Sequence, residues 1–230
     1  MTSASTLDFD ELNKLGVKVK KSPPTPLAIP YRQYFGEMYI SPEQMRSRIS
    51  LAEEIEDVML YVFAYWIIAE EADLSIAEVK QDAEQKLTSV VAKHMKLDPY
   101  LEKHIKDVID EVVDVTARHT QNNVDDTTAD TDNGYWTSTD RAMLIAENEA
   151  NAFDNYNDYR EAKAQGKTKK TWITEGDDKV RLTHSLEEEK TIDIDGLFFV
   201  GNSQMRFPRD AEFDPEPQEV VNCRCACEYS

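Results

Sequence analysis

Between Met45 and Ala69 the apolar residues recur in steps of three and four: Met45, Ile49, Ala52, Ile55, Met59, Val62, Trp66 and Ala69. That period places every member on one side of an α-helix, whereas a strand would scatter them over both faces. The stretch is thus committed to a long helix with one buried face. Ser41-Pro42-Glu43-Gln44 marks its start, with Ser41 as cap, Pro42 at the first helical position and Gln44 closing a capping box. The apolar run Met59–Ala69 at its centre is half the roughly 20 residues a bilayer requires. No membrane association is therefore expected.

Two more helices follow. Ser75-Ile76-Ala77-Glu78 is a second capping box, ahead of a stripe at Val79, Ala83, Leu87, Val90 and Met95. Asp98-Pro99 opens a third helix through Leu101, Ile105, Val108, Val112 and Val115. Short connections between successive amphipathic helices point to an antiparallel bundle. The segment NNVDDTTADTDN, residues 122–133, ends that pattern and reads as an acidic linker over 122–137. It lacks the glycine and terminal glutamate of an EF-hand loop, so calcium is not expected there. Ser138 or Thr139 caps a fourth long helix with a stripe at Ala142, Ile145, Ala146, Ala150, Phe153 and Tyr156. Gly166 is placed as its C-terminal stop.

The period then changes. Thr171–Thr174, Val180–Thr183 and Leu197–Val200 are short, β-branched or aromatic, and bounded by Gly, Asp and Asn, so they read as strands. The expected class is α+β. The expected division is a flexible arm over 1–30, a helical domain over 31–121, the linker over 122–137, and a small α+β module over 138–230. The arm carries Lys14, Lys18, Lys20 and Lys21 before the proline-rich Ser22-Pro23-Pro24-Thr25-Pro26, and is expected to be extended.

Charge narrows the partners. The 230 residues hold 45 Asp plus Glu against 26 Lys plus Arg, a formal −19, so strong nucleic-acid binding is not expected. No basic and apolar leader opens the chain, and its three cysteines, Cys223, Cys225 and Cys227, are clustered and odd in number. A secreted disulfide framework is thus not expected, and a reducing compartment is.

Those cysteines are the first candidates for chemistry. On a strand, residues two apart share a face, so the three thiols could face His184 together. Imidazole and thiolate suit Zn²⁺, although the spacing differs from that of zinc fingers. The plainer reading is small buried thiols without metal. No cofactor is therefore the main expectation, and zinc at His184, Cys223 and Cys225 the secondary one. A Cys–His nucleophile pair, with Asp177 orienting His184, is the next candidate. A third is an ADP-ribosyltransferase site at Thr137-Ser138-Thr139 with Glu147 and Glu149. That pair lies within a helix, where residues two apart diverge. Asp177 or Glu149 is the expected ion-pair partner of Arg181, with a structural role.

The order of these pieces carries more than any one of them. Arg141-Ala142, Ile145-Ala146-Glu147-Asn148-Glu149, Lys170-Thr171-Trp172, Asp177 to His184, Phe207-Pro208-Arg209-Asp210 and Asn222-Cys223-Arg224-Cys225 follow one another. Residues 138–229 thereby resemble the Mu protein F family, the minor head or head-morphogenesis proteins of tailed bacteriophages. The front half, through Tyr34-Phe35, Arg48-Ile49 and Ala52–Glu56, is similar less specifically. Two departures stand out. Lys179 replaces the family's arginine, and Glu189 replaces a glycine, so an altered loop is expected there.

The resemblance implies a non-enzymatic structural protein that binds the portal, with capsid or scaffold proteins as further partners. It implies a role in head assembly and in DNA packaging or delivery. The expected location is the virion, at the capsid interior or portal vertex, after synthesis in the host bacterial cytoplasm. Arg141, Glu149, Trp172, Asp177, Arg181, Pro208 and Asp210 are then expected to lock the module with His184, Cys223 and Cys225. A Cys–His or ADP-ribosyltransferase enzyme is the alternative. An open pocket at the cysteines would favour it, and burial without a cleft would oppose it.

Overall fold

The computed structural model describes residues 30–72, 75–121 and 134–230. The arm expected over 1–30, except its last residue, and most of the acidic linker lie outside the described residues. The helices are α1 (Tyr31–Gly36), α2 (Pro42–Ala72), α3 (Ile76–His94), α4 (Pro99–Gln121), α5 (Thr139–Ala164), α6 (Leu182–Ser185) and α7 (Pro217–Val220). The strands are β1 (Lys169–Ile173), β2 (Thr191–Asp193), β3 (Phe198–Val200), β4 (Ser203–Met205) and β5 (Ala226–Tyr229). The class is α+β, as expected.

The capping chemistry read from the sequence is present. The Ser41 N–H donates to Gln44 Oε1 at 3.0 Å, and the Gln44 N–H donates to Ser41 Oγ at 3.2 Å. Ser75 and Glu78 repeat the reciprocal pair at 3.0 and 3.3 Å. Asp98 Oδ1 accepts the N–H groups of Tyr100 and Leu101, both at 3.1 Å. Ser138 caps α5 by accepting the Arg141 N–H at 3.2 Å. Gly166, at φ +77°, ends it, and the Lys167 N–H bonds back to the Ala162 carbonyl at 3.0 Å.

Contacts divide the chain into two compact units that interleave along the sequence. One holds the described residues of Glu54–Ala92 and Leu97–Ile145. Its core is the fully buried Ile55, Met59 and Phe63 of α2, Leu87 of α3 and Ile105 of α4. Burying each such side chain is worth about 1.5–3 kcal/mol. Lys80, early in α3, pairs with Asp110 and Asp114 in the second half of α4 at 3.1 and 2.7 Å. With a four-residue connection, α3 and α4 thus run antiparallel.

The other unit holds the described residues of Ile29–Glu53, with Lys93–Lys96 and Ala146–Ser230. Its three-stranded antiparallel sheet has the order β2-β1-β5. In the register, Thr171 faces Thr191 on one side and Trp172 faces Cys227 on the other. β3 and β4 form a separate hairpin closed by Gly201 and Asn202. Trp172, Phe198, Val200 and Met205 are buried together with Cys223 and Cys225. The expected strands at 171–174 and 197–200 are there. The one expected at Val180–Thr183 is not, because Leu182–Ser185 forms a single helical turn, α6. Leu182 stays 75% exposed there, so no sheet face was available to bury it as a strand.

Glu189 adopts φ +58°. The left-handed turn that glycine would favour is therefore kept despite the glutamate. Its N–H bonds the Trp172 carbonyl at 2.9 Å, which anchors the turn to β1.

Candidate metal centre

The cysteine segment is placed by α5 rather than by the sheet. Asn222, at φ +54°, turns the chain after α7, and residues 223–225 form no regular element before β5 begins. Asparagine tolerates that conformation better than most residues. Three α5 asparagines, spaced by three and four, fix the segment. The Asn148 Oδ1 accepts the Asn222 N–H at 2.7 Å. Asn151 Nδ2 donates to the Cys223 carbonyl at 2.9 Å. Asn155 Nδ2 reaches the carbonyls of Pro208 and Cys225 at 3.1 and 3.3 Å. The asparagines are held in turn by Arg48, fully buried, whose Nε and Nη2 donate to Asn151 Oδ1 and Asn155 Oδ1 at 3.1 and 3.0 Å.

His184 arrives from α6. Its Nδ1 lies 3.4 Å from Cys225 Sγ and 3.6 Å from Cys223 Sγ. The three candidate ligand atoms lie within 4.8 Å of one another. His184 and Cys223 are 2% exposed and Cys225 is 4% exposed. Behind the ring, Nε2 sits 3.0 Å from Glu219 Oε2 on α7, and Glu219 also accepts the Thr183 hydroxyl at 2.8 Å. Trp172 stands edge-on to the imidazole, with centroids 5.9 Å apart. A small pocket is lined by the three residues together with Lys179, Arg181, Asn222 and Arg224. Gly201 lies against the glutamate: a Cβ there would come within 2.8 Å of Glu219 Oε1.

The electrostatics set the two thiols apart. The hydrogen bond from Cys225 holds the Cys223 thiol well below its usual pKa; burial opposes this and His184 adds to it. Cys225 is pushed well above its usual pKa by that same bond and by burial. Burial presses His184 down, but the hydrogen bond and charge of Cys223, with Glu219, outweigh it, and the net shift is upward. Chemically this is a pair of thiols whose acidities are pushed in opposite directions, and an imidazole whose far nitrogen is anchored by a carboxylate. Such a set can coordinate a soft divalent metal or pair a thiolate with an imidazolium.

Cys227 does not join the cluster. It lies on β5 opposite Trp172, and burial pushes it up to about 12. The three cysteines do not share one strand face, because only Cys227 belongs to the strand. Asp177 does not orient His184. It holds Arg224 bidentately, with both oxygens at 2.8 Å, and Glu219 takes the orienting place. Arg181 pairs with neither Asp177 nor Glu149 but donates to the Val221 carbonyl. Glu149 lies 3.8 Å from Arg209 Nη2. Asp210, fully buried, clamps Arg206 at 2.6 and 2.9 Å, and Pro208 is buried beside it.

Arg141 belongs to the helical unit and not to the C-terminal module. Its Nη1 donates to Thr116 Oγ1 at 2.7 Å and to the Trp136 carbonyl at 2.6 Å, and its guanidinium lies over the Phe63 ring. Burial lowers its pKa to about 10. Thr137-Ser138-Thr139 and the Glu147–Glu149 pair do not lie on a strand and a turn. Tyr135–Thr137 is a 3₁₀ turn, Ser138 is a cap, and Glu147 is buried within α5.

Sequence reasoning named Arg48, Asn148 and Arg209 only within the resemblance, with no site role, and missed Asn151, Asn155 and Glu219. For the asparagines a signal existed: polar residues three and four apart inside a helix otherwise patterned for burial. For Glu219 there was none, since it is one of several acids before the cysteines. Among the described residues, no helix is long and apolar enough to cross a membrane. No family model, curated protein or solved structure matches this chain.

Proposed function

We propose that this chain is a structural minor head protein of a tailed bacteriophage, binding the portal or capsid interior and assisting head assembly and DNA packaging or delivery. The observation that supports this reading is a convergence. Motif pieces far apart in sequence meet in one unit. Asn148 joins Asn222, Glu149 faces Arg209, Trp172 meets His184, and His184 meets Cys223 and Cys225. Asn148, His184 and Arg209 so gathered bond to other parts of the fold, as in a scaffold. Burial of His184 and Cys223 and the narrowness of the pocket disfavour a Cys–His hydrolase, which must admit a substrate to its sulfur. Virion location, with portal and capsid or scaffold proteins as partners, follows from the same reading. The test is co-purification of the full chain with its cognate portal protein. Stable association supports the reading, and absence of association with portal, capsid and scaffold alike overturns it.

A further inference from the structure

We propose that His184 Nδ1, Cys223 Sγ and Cys225 Sγ hold one zinc ion whose fourth position opens on the small pocket beside them. The two nitrogen–sulfur distances are those of a coordination polyhedron. With Zn–S near 2.3 Å and Zn–N near 2.0–2.1 Å, the edges of a tetrahedron are about 3.6 Å between N and S. The observed separations are 3.4 and 3.6 Å. One imidazole nitrogen offers one proton or one lone pair, and it cannot serve two sulfurs equally. A cation among the three atoms serves all of them. Glu219 supplies what such a site needs behind it, a carboxylate on the far nitrogen that fixes the tautomer and leaves Nδ1 free to ligate. Asn151 and Asn155 hold the carbonyls of both cysteines, so the thiols are set before any metal arrives. An imidazole with two thiolates selects zinc over magnesium or calcium.

Closed structural zinc sites have four protein ligands, and sites with three keep an exchangeable position. Among the described residues, only these three come together as ligands, and all three line the pocket. The fourth ligand is therefore water, exchangeable for a small donor. Cys227 is an internal control, because it lies two residues beyond Cys225 and outside the cluster. The inference does not rest on the portal reading, since metal content and portal binding are separate measurements.

The experiment uses the full chain purified without a metal-binding tag, freed of metal by chelation, and titrated with Zn²⁺ and with Co²⁺. The expected result is one ion per chain, with a tetrahedral Co²⁺ spectrum carrying sulfur-to-cobalt charge transfer. Added imidazole shifts the cobalt bands if water holds the fourth place. Cys223→Ser and Cys225→Ser lose stoichiometric binding and Cys227→Ser keeps it. Glu219→Gln keeps the stoichiometry with affinity weakened about 10–100-fold. The wild-type cobalt spectrum needs no variant to fold. Failure of wild-type chain to bind either ion, or equal loss in Cys227→Ser, overturns the site. A cobalt spectrum indifferent to imidazole overturns the open position.

Discussion

Glu147 is buried within α5, and its Oε2 has no hydrogen-bond partner. Burial raises its pKa from 4.5 to about 8, against the pull of Arg209. The folded chain thus retains a proton that the unfolded chain releases. Stability from this group is complete below pH 4.5 and falls as pH rises through the window to about 8. Asp154, raised to about 6 by burial, adds a slope of the same sign. Glu147→Gln should be more stable than the parent above pH 8 by about 1–3 kcal/mol. The two should converge in acid, as read by urea unfolding at a series of pH values. Glu189 offers a second measurement at this scale. Its φ of +58° carries a Cβ in the left-handed region. Glu189→Gly should relieve about 1 kcal/mol of that strain, less the added freedom of the unfolded chain, and so raise the melting temperature slightly. A fall in melting temperature would mean that the glutamate side chain contributes more than its backbone costs.

At the scale of elements, the caps are independent units of stability. Ser75→Ala removes one half of the Ser75–Glu78 box and should cost about 0.5–2 kcal/mol in chemical unfolding. Asn151→Ala should cost more than a surface change. It strips the Cys223 carbonyl and Arg48 Nε of their partners, leaving two buried groups at about 1–3 kcal/mol each. Helices were readable from sequence because their information is local: the stripe of α2, both capping boxes, Asp98, Ser138 and Gly166 each act within a few residues. The strand expected at 180–183 failed for the opposite reason. Val180, Leu182 and Thr183 have β propensity, but β propensity expresses a fit to neighbouring strands, and β1 is paired on both edges by β2 and β5. The candidate site was half readable. His184, Cys223 and Cys225 stood out by residue type. The carboxylate behind the imidazole did not, because only the path of α7 distinguishes Glu219 from Glu212 or Glu216.

For the whole molecule, charge sets the expectation. At −19, the chain should leave a DNA duplex unshifted in a gel assay at physiological salt. A shift that persists there would point to a localised cationic surface overriding the net charge. The division into two units was not readable along the chain, since residues 30–53 join residues 146–230 across more than ninety intervening positions. Arg48 is the clearest case. Nothing near it in sequence announces that its guanidinium will be buried against Asn151, Asn155 and Asp158. That same interleaving has a consequence in time. During synthesis, α2 leaves the ribosome long before α5, and α5 before the segment whose carbonyls its asparagines hold. At roughly 5–20 residues per second, translation from residue 53 to residue 225 lasts roughly ten to thirty-five seconds. Arg48 has no permanent pocket until Asn151, Asn155 and Asp158 emerge part-way through that interval, and the nascent chain must wait, hydrated and half-assembled, for its last pieces to emerge.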